Sequence, residues 1–165
     1  MSLDRPLPQL RPPVVLAMLI VALALQTTVL SAAAIGGIKP DLVLVVALCT
    51  GLLSGPAPGA ACGAAAGLME GYLQGTHLGA LGATRALAAF AVGMVETRLV
   101  QDRVVIPSVM VLLGSLAAHG LYFIMAPEFP VGRPVRIAVT ESLLNMVFTP
   151  LVHLSLARWG LAKRR

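Results

Sequence analysis

Residues 51–79 read GLLSGPAPGAACGAAAGLMEGYLQGTHLG, with glycine at every fourth position: Gly51, Gly55, Gly59, Gly63, Gly67, Gly71, Gly75 and Gly79. In water such a run is a poor helix, because each interior Gly costs about 1 kcal/mol relative to Ala. In lipid the cost is offset, since small residues four apart leave a shallow groove into which another helix can pack backbone against backbone. Four residues advance a helix by about 400°, so successive glycines drift only about 40° around its axis. Gly59, Gly63, Gly67 and Gly71 therefore share one broad face, which is expected to receive a partner helix. The whole run is not one helix: Gly55, Pro56, Pro58 and Gly59 read as a turn, and Gln74 to His77 as another.

The rest of the chain fits that setting. Apolar residues make up 58% of its 165 positions, charged residues 12%, and the mean hydropathy is +0.89, values of a polytopic membrane protein. No polar stretch is long enough to bury a core of its own, so the chain reads as a single integral membrane domain over residues 1–165. Arg5 and Arg11 precede the first apolar run as in a signal peptide, but the run continues past Gln26 to Thr28 and is expected to be a retained span. Cys49 and Cys62 both lie in apolar segments, where a thiol acts as a small hydrophobe, and no disulfide or metal is expected of them.

Six helical spans are predicted, at about 13–34, 41–54, 57–73, 78–95, 104–125 and 137–159. The first ends at Gly36-Gly37, and Pro40-Asp41 suits the opening turn of the second. Placing the N-terminus inside puts Arg5, Arg11, Arg98, Arg103, Arg158, Lys163, Arg164 and Arg165 in the cytoplasm, against Lys39, Arg133 and Arg136 outside. Eight against three supports both termini in the cytoplasm. The net charge of +5 is then a matter of topology and anionic lipid and calls for no nucleic acid.

Polar residues inside the spans are costly and are functional candidates by default. With this topology, Gln26, Thr27 and Thr28 of the first span, Glu70 of the third, Arg85 of the fourth, His119 of the fifth and Glu141 of the sixth all fall in the outer half of the membrane, with Asn145 one turn below Glu141. They predict a polar layer or cavity open to the outside. Arg85 pairing with Glu70 or Glu141 would lock helices in register; the same groups could instead hold a ligand or a partner helix. His119 reads as a hydrogen-bonded core histidine, and His77 sits in the turn after the glycine helix, where it could cap it. The three histidines show no metal-ligand spacing. Glu96, Arg98, Asp102 and Arg103 read as a solvated inner loop or a cytoplasmic docking point. No nucleophile is paired with a base and no phosphate-cradling loop is present, so an enzyme is not expected and no cofactor is implied.

Several segments together resemble one family. Leu25-Gln26-Thr27-Thr28-Val29-Leu30, Gly37-Ile38-Lys39-Pro40-Asp41-Leu42-Val43-Leu44 and Gly51-Leu52-Leu53-Ser54-Gly55-Pro56 resemble the opening of MreD, the rod shape-determining membrane protein family. Gly63 to Gly71 with Gln74-Gly75-Thr76-His77-Leu78-Gly79 is similar to that family's glycine-rich helix and following turn, and Asn145 to Pro150 resembles its Asn-x-x-x-x-Pro segment. The acidic position of the third helix, more often Asp in that pattern, is Glu70 here.

The resemblance implies a noncatalytic scaffold subunit of the bacterial cell-wall elongation machinery in the inner membrane. It would bind MreC and through it RodA and a penicillin-binding transpeptidase, with MreB filaments on the cytoplasmic side. It also implies a fold similar to the S components of energy-coupling vitamin transporters, six-helix bundles with a pocket open to the outside. A solute-binding transporter subunit is therefore the competing expectation. Against it, a vitamin pocket needs aromatic walls, and the chain has one Trp, two Tyr and four Phe.

Overall fold

The computed structural model describes residues 10–28, 37–95, 104–127 and 129–160. Six α-helices follow one another, with no strand among the described residues: α1 (Pro12–Thr27), α2 (Leu42–Ser54), α3 (Pro56–Gln74), α4 (Leu78–Met94), α5 (Val105–Met125) and α6 (Gly132–Ser155). A π-helical turn, Leu156–Gly160, extends α6. By length and apolarity α5 and the continuous Gly132–Gly160 segment can each cross a membrane, and α1, α2 and α4 are shorter apolar helices. The protein is an all-α integral membrane bundle.

The shortest helix is the core. At about 1.5 Å per residue α2 spans only about 20 Å, and from Val43 to Cys49 every residue is at most 1% exposed. Its sequence, LVLVVALCTGLLS, is apolar all round, as a helix enclosed on every side must be. The other five helices pack around it. Asp41 stands just outside α2 as its N-cap, its side chain accepting a hydrogen bond from the Leu44 N–H at 2.9 Å.

The turn expected at Gly55–Gly59 contracts to one residue. Gly55 alone, with φ +95°, separates α2 from α3, and Pro56 and Pro58 lie inside the first turn of α3, where a missing N–H costs nothing. The turn at Gln74–His77 is as expected: Gly75 caps α3 in the left-handed region, φ +62°, with its N–H donating to the Gly71 carbonyl. The last helix begins at Gly132 rather than near Ile137, because Pro134 sits in its first turn and does not break it. The first is described only to Thr27, and residues 29–36 lie outside the described set.

The glycine face corrects the expectation of an external partner helix. It is filled by the chain's own neighbours. A Cβ on Gly59 would stand 2.6 Å from the Gly51 Cα, one on Gly63 2.5 Å from the Arg85 carbonyl oxygen, one on Gly67 2.7 Å from the Gly82 Cα, and one on Gly71 2.9 Å from the Leu78 Cα. The short turn after α3 folds α4 back along it, so the groove is occupied intramolecularly. These contacts make α2, α3 and α4 a backbone-to-backbone unit.

Candidate functional site

Because the helices alternate in direction, one end of the bundle collects the end of α1, the start of α2, the end of α3, the start of α4, the end of α5 and the start of α6. The polar residues gather there. Arg85, 6% exposed, stands at the centre. Its Nη2 donates to the Asp41 carboxylate at 2.5 Å, and its Nη1 donates to Glu70. A planar guanidinium reaches two carboxylates from two helices at once, which a Lys ammonium could not do in the same plane.

Each partner is anchored further. Glu70 Oε1 accepts from the Gln74 amide at 2.5 Å and from the Gln26 amide at 3.1 Å, so α1 joins the cluster. Gln26 Oε1 accepts from the Val43 N–H at 3.4 Å, and the Gln26 carbonyl accepts from the Lys39 ammonium at the same distance. The Asp41 N–H donates to Asn145 Oδ1 at 2.7 Å, and the Asn145 amide donates to Ser115 Oγ at 3.1 Å. All six helices thereby contribute a side chain to one connected network.

Of the residues singled out in the sequence, Gln26, Glu70, Arg85 and Asn145 are in this network, and Lys39 lies at its edge. Glu141 makes no ion pair with Arg85; among the described residues its nearest basic atom is His119 Nε2 at 3.9 Å, too far for a hydrogen bond. Pro40 is buried beside Asp41. Pro150 lies inside α6, five residues after Asn145 and next to Thr149, whose hydroxyl donates to the Asn145 carbonyl at 2.7 Å. His77 is the N-cap residue of α4 but makes no side-chain capping bond. Glu96, Arg98, Asp102 and Arg103 lie outside the described residues.

Sequence reasoning missed the central role of Asp41. It stood as a helix start and as part of the Lys39-Pro40-Asp41 motif, not as a member of the polar layer, yet its side chain is 1% exposed and takes half of the guanidinium. The missed signal is its position: the N-cap of this apolar helix lies at the depth of the other charges. Ser115, which receives the Asn145 amide, carried no signal beyond its polarity.

Beside the network lies a cavity of about 560 Å³, within the usual range for small-molecule sites. Its lining combines the polar Gln26, Lys39, Asp41, Glu70, Arg85 and Glu141 with Leu81, Leu116, Tyr122, Phe123 and Ile137. Tyr122 and Phe123 are its aromatic residues, whereas Tyr72 is 77% exposed on the surface.

No curated protein and no solved structure matches the chain. One family model does, described as 5TMR of 5TMR-LYT, over residues 6–156. That stretch contains all six helices and every residue of the polar network, and on that match the chain belongs to the 5TMR-LYT family of membrane proteins.

Proposed function

We propose that the protein is a noncatalytic scaffold subunit of the bacterial cell-wall elongation complex, an MreD-type protein of the inner membrane with both termini in the cytoplasm. The observation that carries this reading is the use of its buried charges. Arg85, Asp41 and Glu70 are spent on one another across three helices, which favours a fixed frame over a site that changes charge in a reaction. The sequence likeness in order along the chain, from Gln26 through Lys39-Pro40-Asp41 to Asn145 and Pro150, points the same way.

Because the glycine face is filled from within, a partner such as MreC meets the perimeter of the bundle. The exposed side of α1, with Leu16, Ile20, Val21 and Leu25, is one apolar surface open to such a partner, and the outer face of α6, with Val147 and Leu151, is another. RodA and the transpeptidase follow indirectly through MreC, and MreB from the cytoplasmic side. Mild-detergent affinity purification from the native membrane, with mass spectrometry of what is retained, tests this. Recovery of MreC with wall-synthesis enzymes is the expected result; recovery of ATPases with a coupling subunit would overturn it.

The cavity favours a second reading, in which the outer end receives a small solute, as in a membrane sensor or the substrate-binding subunit of a transporter. Its volume and the Glu141 carboxylate in its lining support this.

A further inference from the structure

Counted with every carboxylate, Lys and Arg ionised, the cavity that supports the second reading has an unbalanced charge. Its charged lining is three carboxylates, Asp41, Glu70 and Glu141, against two fixed cations, Lys39 and Arg85. Arg85 is committed to Asp41 and Glu70, and Lys39 donates to the Gln26 carbonyl. Glu141 is left over. Among the described residues its nearest cationic candidate is His119 Nε2 at 3.9 Å, and that ring nitrogen is itself buried without a hydrogen-bond partner. The Glu141 carboxylate and the His119 ring thus both line the cavity, and neither shows a hydrogen-bond donor among the described residues; an incoming group reaches Nε2 once the ring turns slightly toward it. Leaving the His119 nitrogen buried and unsatisfied is unfavourable, and the part-buried Glu141 carboxylate beside it is without a counter-ion inside the membrane.

We infer that this cavity is a binding site for a primary ammonium group carried on an apolar stem, with Glu141 as its counter-ion and His119 Nε2 as second acceptor. An ammonium has three N–H donors and no acceptor. Placed about 2.8–3.0 Å from two acceptors, it holds them roughly 4–5 Å apart, close to the observed 3.9 Å between Glu141 and His119. A neutral imidazole with its proton on Nδ1 presents Nε2 as the acceptor. One positive charge balances the lining. The stem would lie against Leu81, Leu116, Phe123 and Ile137. Two sources supply the ammonium: a free alkylamine, which brings both the apolar stem and the balancing charge, and the ethanolamine headgroup of a phospholipid, whose anionic phosphate would have to lie outside the cavity mouth. The inference rests on the second reading above and is independent of the scaffold.

The test uses the full chain in detergent with two probes of equal stem, hexylamine and 1-hexanol, titrated by calorimetry. Binding of hexylammonium at least tenfold tighter than hexanol is expected, with that preference lost in Glu141→Gln. Should Glu141→Gln fail to fold, His119→Phe and the amine-to-alcohol contrast on the unaltered chain decide. Lipid extracted from the purified protein separates the sources. Phosphatidylethanolamine retained by the parent but not by Glu141→Gln assigns the headgroup, and hexylammonium binding without retained lipid assigns a free amine. Equal affinity for the two probes would overturn the ammonium assignment while leaving a ligand cavity, and binding of neither would overturn both.

Discussion

Arg85 and Asp41 lie 44 residues apart in sequence and 2.5 Å apart in space. The same Asp41 carboxylate caps α2 through the Leu44 N–H, so the innermost helix of the bundle is started and charge-locked by one side chain. Removing the cation leaves Asp41 and Glu70 buried without it. Arg85→Met is expected to lower stability by about 3–5 kcal/mol, as for other buried pairs broken on one side. The triple variant Arg85→Met, Asp41→Asn, Glu70→Gln should recover much of that loss. Melting in detergent checks both; a single variant no less stable than the triple would contradict the pairing.

The glycine face gives a position-specific test. At Gly63 an added Cβ meets the Arg85 carbonyl at 2.5 Å, whereas at Gly79 nothing lies within 4 Å. Gly63→Ala is expected to cost about 1–3 kcal/mol by overpacking, and Gly63→Leu to prevent folding altogether. Gly79→Ala should be neutral or slightly stabilising, since Ala is the better helix former. Size-exclusion profiles of tagged variants after mild solubilisation measure this. Intact, well-behaved Gly63→Leu would show that α4 does not pack on that face.

These two sites also mark what the sequence could and could not say. Alternating spans fix the depth of each polar residue, so the gathering of Gln26, Glu70, Arg85 and Glu141 at one end could be read by counting along each helix. Partner choice at that depth could not. Whether Arg85 turns to Glu141 or to Asp41 depends on which helices are neighbours, and that is set by the short Gly55 and Gly75 turns that hold α2, α3 and α4 together. Glycine spacing likewise announces close approach without saying whose helix approaches. Asp41 was hidden by its own good fit to a helix start, a local role that explained the residue and concealed the second one.

Asn145 is the one fully buried amide of α6, with the Asp41 N–H on its oxygen and Ser115 on its nitrogen. Asn145→Leu strands the Asp41 N–H, a group that α2 cannot satisfy from within because it precedes the first helical turn. A loss of about 1–3 kcal/mol is expected. Ser115→Ala removes only the weaker end and should cost less. Denaturation of both variants in detergent ranks them; a greater loss for Ser115→Ala would show that the amide is held chiefly by α5.

Gln26 is the polar tether of α1. That helix buries only Leu19, Ala22 and Gln26, one residue per turn along a narrow stripe, so its outer end depends on the Gln26 bonds to Glu70 and to the Val43 N–H. Gln26→Leu keeps the volume and removes both. The α2–α3–α4 unit does not lean on α1 for its close backbone contacts, so the effect should be local. Hydrogen exchange by mass spectrometry is expected to speed up about tenfold in residues 20–28 and at the released Val43 N–H, equivalent to about 1.4 kcal/mol, with residues 45–54 unchanged. Exchange that rises equally in both segments would mean that the tether holds the whole bundle, and that α1 is part of the core rather than a helix laid against it.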